Sequence, residues 1–191
     1  YGDDNSSDGE ANMGAISEMN RALGSAQEKF DYLKRFVDDK KLQGRAIIFC
    51  GDGSTELESQ SSGLSDSETR DRDRVRDILV SAKILCNNFT AEETPVRRKE
   101  ILKAFEEGDT RCLVSIRVLD EGIDVPGVET AIILASSRNR RQFVQRRGRV
   151  LRKSKNKELA RIYDFICLPP KGVSESSIVD GEIKRVLEMS D

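Results

Sequence analysis

The stretch QRRGRVLR, Gln145 to Arg152, carries four arginines within eight residues. It lies inside a longer run, Arg138 to Lys157, that holds seven arginines, three lysines and no acid. Phe143, Val144, Val150 and Leu151 interleave with these charges. One side of the run is therefore expected to sit against an apolar neighbour, which a merely solvated basic face does not need. Arginine outnumbers lysine, and the guanidinium fork suits fixed-geometry contacts to phosphate. On a helix over Gln142 to Arg149, Arg146 and Arg149 share a face and Arg152 continues the offset. Gly148 removes a side chain where backbone or ligand can approach closely. Guanidinium groups aimed at one point stabilise charge that spreads over a transferring phosphoryl group.

Two further segments carry polar residues where chemistry can be done. In SIRVLDEGIDVPGVE, Ser115 to Glu129, Gly122 can take an unusual backbone angle and Asp124 can accept from a ribose hydroxyl. A turn or cap role for Asp124 stands as the alternative. In TAEETPVRRKEILKAFEEGD, Thr90 to Asp109, hydroxyls and basic residues open a helix. Asp120, Glu121 and Asp124 crowd one loop, and such neighbours rarely converge on one cation, which disfavours a metal nuclease. The chain has no histidine, which excludes histidine general bases and histidine metal ligands. Cys50, Cys86, Cys112 and Cys167 form no CxxC pair and read as buried, reduced thiols of a cytosolic protein rather than a zinc site.

These segments need a frame to hold them. At 191 residues and 37% hydrophobic, the chain suits one domain with flexible ends. Charged residues make up 35% but the net charge is only −2, so any polyanion must be met by a local patch. No apolar run reaches the roughly 18 residues of a membrane span. The start YGDDNSSDGE is not a signal peptide, and an initial tyrosine points to a fragment. Residues 1–24 read as an acidic, flexible leader, 25–170 as the domain with an acidic loop insertion at 51–75, and 171–191 as a tail ending in a helix. Ser25 and Glu28 match a capping box for a first helix carrying Phe30, Leu33, Phe36 and Val37, with Gly44 as its stop. Five apolar runs read as strands: RAIIFC, KILCNNF, RCLVS, TAIILA and RIYDFI. Helices are expected near Arg72 to Ala82 and from Thr94-Pro95 to Gly108, the latter with Ile101, Leu102 and Phe105 inward. Strands alternating with helices predict an α/β fold, a parallel twisted sheet with helices on both faces. Ligands of such sheets bind beyond the carboxyl ends of the strands, where the polar segments fall.

Four blocks, in order, resemble the second RecA-like domain of superfamily 2 helicases and translocases, over roughly residues 45 to 167. RAIIFC resembles motif IV, FTAEETPVRRKEILKAFEEGDTRCLVS the segment after it, SIRVLDEGIDVPGVETAIIL motif V, and QRRGRVLR the motif VI pattern Q-R-x-G-R-x-x-R. Gln145 and the wording DEGIDVP are more similar to the DNA-repair, restriction-subunit and Rad25-like branch than to DEAD-box RNA helicases. The resemblance implies that Arg149 and Arg152 are arginine fingers, Arg152 the principal one, for ATP held on a preceding RecA-like domain. It implies that Gln145 and Arg146 contact that domain, that Gly122 and Asp124 meet the nucleotide, and that Cys50, Gly51, Thr90, Ser115 and Arg117 grip a nucleic-acid backbone. Ile116 stands where many relatives carry Thr or Ser, which leaves Arg117 or Ser115 to supply that contact. No phosphate-cradling G-x-x-x-x-G-K-[ST] loop and no acidic magnesium motif occurs, so the chain resembles half of an ATP site. ATP and Mg2+ are then expected only in a longer protein, with DNA preferred over RNA as track and with a cytoplasmic, nucleoid or nuclear location. The competing expectation is a helicase-derived binding or regulatory module without catalysis.

Overall fold

The computed structural model describes residues 26–50, 66–90, 92–116, 125, 127–134, 148, 159–167, 183 and 187, with backbone alone for 66–70. In chain order the elements are α1 (Gln27–Asp38), β1 (Ala46–Phe49), α2 (Asp66–Ser81), β2 (Cys86–Thr90), α3 (Pro95–Glu107), β3 (Cys112–Ile116), β4 (Thr130–Ile133) and β5 (Arg161–Asp164). All strands pair in parallel, in the order β2-β3-β1-β4-β5. The expected twisted α/β layer with helices on both faces is the architecture observed.

Side chains alternate across the sheet because strand period is two. Ala46, Ile48, Val114 and Ile132 join Leu33, Phe36, Val75 and Leu79 of α1 and α2 in one buried cluster. Ile47, Phe49, Leu113 and Ala131 join Ile101 and Phe105 of α3 in the other. The three middle strands are buried along their whole length, as short, branched, continuous runs should be when both sheet faces are covered.

Several local readings shift. α1 begins after Ala26, which makes no side-chain cap hydrogen bond; Ser25, the anticipated cap, lies outside the described residues. The helix ends at Asp38, well before Gly44, with Lys40 taking the left-handed turn at φ 57°. α2 starts at Asp66, inside the stretch read as an acidic loop. β2 starts three residues later than its apolar run, because Ala82 and Lys83 form the turn after α2, with Lys83 left-handed (φ 59°), and the strand begins only at Cys86. α3 follows its signals closely: the Thr94 hydroxyl accepts from Arg97 N–H at 3.2 Å, Pro95 opens the helix, and Gly108 closes it at φ 88°, an angle that disfavours side chains.

At the amino ends of the strands the loops are tied by side chains. Arg111 donates to the carbonyls of Leu42 at 2.7 Å and Gly44 at 3.3 Å. Arg45 reaches the α3 carbonyls of Glu106 at 3.2 Å and Phe105 at 3.4 Å, with its guanidinium over the Phe105 ring. Thr130 Oγ1 donates to Gln43 O at 2.7 Å, and Asn87 donates to Thr110 Oγ1 at 2.6 Å.

Candidate functional site

The polar residues singled out from the sequence and described here lie at the opposite, carboxyl edge. Register places them side by side: Phe89 and Phe49 both pair with Ser115, and Thr90 pairs with Ile116. Cys50 follows directly, its N–H donating to Ser115 O at 3.0 Å. Three adjacent strands, β2, β3 and β1, thus bring Thr90, Ser115 and Cys50 to one rim. Gly51, Arg117, Gly122, Asp124, Gln145, Arg146, Arg149 and Arg152 lie outside the described residues.

All three rim side chains are buried. Cys50 packs into the core beneath α1 and α2. Ile116 does the same, which gives a physical reason for an apolar residue where a hydroxyl was anticipated: that side of the strand faces the core. Ser115 points to the other face, its row flanked by Phe89 and Phe49, and its Oγ finds no hydrogen-bond partner among the described residues.

Thr90 is the most elaborately held. Its N–H and its Oγ1 both donate to one oxygen, Glu93 Oε2, at 2.5 and 2.8 Å. Glu92 N–H returns to Thr90 Oγ1 at 3.3 Å. Arg72 of α2 pairs with Glu92 at 3.2 Å and with Asp73 at 3.1 Å, pinning the turn from the side.

Lys29 was not foreseen. From α1 its ammonium, almost wholly buried, donates to Leu134 O at 2.6 Å, at the carboxyl end of β4. Residues 135–152, with the arginine-rich run, follow directly in the chain. The only sequence signal was a lysine one residue before the apolar Phe30, on the inward side of an amphipathic helix.

No disulfide joins any of the four cysteines. Burial pushes the Cys112 thiol well above its ordinary range and raises Cys86, so neither is poised as a thiolate. Among the described residues no group of three or more Cys, Asp or Glu side chains could hold a metal ion, and none of the helices is long and apolar enough to cross a membrane.

A parallel five-stranded sheet with helices packed on both faces defines the class: an α/β domain of RecA-like architecture. Residues 28–154 match the helicase conserved C-terminal domain, more than half of the chain, and the chain belongs to that family, as the second RecA-like domain of superfamily 2 helicases. It is 40% identical over 87 residues to the "DNA 3'-5' translocase XPB2" of Sulfurisphaera tokodaii, a match covering 46% of this chain and 20% of that protein. It is 32% identical over 100 residues to the "Putative DNA 3'-5' helicase Rad25" of Haloarcula marismortui, covering 51% and 15%. The mouse "ATP-dependent RNA helicase DDX51" is 40% identical over 67 residues, covering 35% and 10%. The chain therefore spans a fifth or less of these relatives. Its fold is shared with the solved C-terminal domain of the DEAD-box protein Dbp5, at TM-score 0.56, 18% identity and coverage of 86% and 79%. A DEAD box protein of Methanococcus jannaschii gives TM-score 0.53, 16% identity and coverage of 85% and 37%.

Proposed function

We propose that this chain is the second motor domain of an ATP-dependent helicase or translocase, working opposite an N-terminal RecA-like domain of the same polypeptide. The observation that supports it most is the alignment of Thr90, Ser115 and Cys50 on adjacent strand ends of a helicase C-terminal domain. Backbone N–H groups and hydroxyls on such an edge grip phosphates without reading bases, as a motor that moves along any sequence requires. Gly51 and Arg117 extend this grip from the residues that follow β1 and β3. DNA is the preferred track, in keeping with the two DNA-acting relatives named above.

Arg149 and Arg152 act as the fingers, with Arg152 principal, and Gln145 and Arg146 contact the neighbouring domain. Gly122 and Asp124 receive the ribose. What ATP with Mg2+ supplies, when bound between the two domains, is the hydrolysable phosphoryl group. The chain by itself is then not an ATPase.

The test is Arg149→Ala and Arg152→Ala, made separately in the full-length protein. Nucleic-acid-stimulated ATP turnover is expected to fall on the order of a thousandfold, with nucleic-acid affinity largely kept. Turnover unchanged in both variants would overturn the motor reading in favour of a non-catalytic binding module.

A further inference from the structure

Thr90 presents two donors to a single acceptor, and that acceptor is an anion belonging to the chain itself. One carboxylate oxygen of Glu93 takes both the Thr90 N–H, at 2.5 Å, and the Thr90 hydroxyl, at 2.8 Å. Two donors converging on one anionic oxygen make an anion site whose geometry is already built. The neighbouring acid cannot substitute, since Glu92 is engaged by Arg72 at 3.2 Å. Glu93 is only half-buried and sits in the turn before α3, so it can swing outward, whereas Thr90 is sealed at the end of a strand. α3 begins two residues later, and its amino end favours negative charge nearby.

We infer that Glu93 is a built-in competitor for a backbone phosphate: its carboxylate fills the Thr90 donor pair in the free protein, and a phosphodiester oxygen of DNA or RNA displaces it on engagement. This rests on the reading of Thr90 as part of the grip, and adds a regulator to it. The displacement breaks no covalent bond; one anionic oxygen replaces another on the same two donors. Its consequence for a motor is a grip that releases readily, because the vacated site is refilled from within the chain. The same T-x-x-E arrangement also describes a reciprocal turn cap, in which Glu93 only steadies the chain. The two roles predict opposite signs for binding.

The experiment measures fluorescence anisotropy of a labelled single-stranded oligonucleotide, as DNA and as RNA of the same sequence, with full-length protein at fixed salt and without ATP. Glu93→Ala is expected to bind about tenfold more tightly than the wild type, for DNA and RNA alike, since the site meets a phosphate and not a sugar hydroxyl. Glu93→Gln keeps the shape without the charge and is expected to gain less, which guards against a folding defect in the alanine variant. Thr90→Val should cancel the gain when combined with Glu93→Ala, while Glu92→Gln should give no comparable gain. Unchanged or weaker binding by both Glu93 variants overturns the competitor. So does a gain that persists with Thr90→Val, which would mark simple relief of charge repulsion. Neither result touches the motor reading, which fails only if the finger variants keep their turnover.

Discussion

The two rims of the sheet hold several of their polar groups differently, although Lys29 is tied to the Leu134 carbonyl at the carboxyl rim as well. At the amino rim, cationic and hydroxyl groups are spent on backbone carbonyls: Arg111 on Leu42 and Gly44, Arg45 on Phe105 and Glu106, Thr130 on Gln43. These partners are fixed parts of the fold and cannot leave. At the carboxyl rim, Thr90 is held by a half-buried side chain and Ser115 by none among the described residues. Thr90 and Ser115 thus differ from the amino-rim groups in what holds them, whereas Lys29 at the carboxyl rim does not.

The contrast can be probed in order of expected effect. Phe105→Ala should be most damaging, because this side chain is fully buried beneath the α3 face and its ring also lies under Arg45. A loss of about 3–5 kcal/mol is expected in urea unfolding. Arg111→Ala removes two carbonyl partners at the amino rim and should cost about 2 kcal/mol in the same measurement. Thr94→Ala removes the α3 cap and should cost about 1 kcal/mol, with a small fall in helicity by circular dichroism. A stability change from Glu93→Ala as large as that from Arg111→Ala would blur the contrast, because it would place Glu93 among the fixed ties.

Much of the frame could be read from the sequence. RAIIF, CLVS and TAII are short, branched and continuous, and each became a buried strand. Thr94, Pro95 and Gly108 bounded α3 because capping chemistry is local. Where tertiary packing decides, the reading slipped. KILCNNF looked like a strand from its first apolar residue, yet Leu85 faces solvent and the pairing begins at Cys86, fixed by Cys112 on β3. The acidic stretch before Arg72 looked like loop, yet α2 extends back to Asp66. Thr90, Ser115 and Cys50 were singled out by the resemblance, and the structure places all three at the carboxyl ends of adjacent strands. Lys29 and Glu93 were not singled out. The first acts through a carbonyl more than a hundred residues away, and the second through a turn whose partner no periodicity reveals. The proposed finger and ribose positions lie outside the described residues, and their roles rest on the motif resemblance.

The most direct test sets one arginine against another. Arg152→Ala and Arg111→Ala are made in the full-length protein, and each is assayed for thermal midpoint and for nucleic-acid-stimulated ATP turnover per folded molecule. Arg152→Ala is expected to lose turnover on the order of a thousandfold with its midpoint unmoved, while Arg111→Ala lowers the midpoint by several degrees and keeps its turnover. Turnover that survives in Arg152→Ala, or that falls only in step with the midpoint in both variants, would contradict the motor reading.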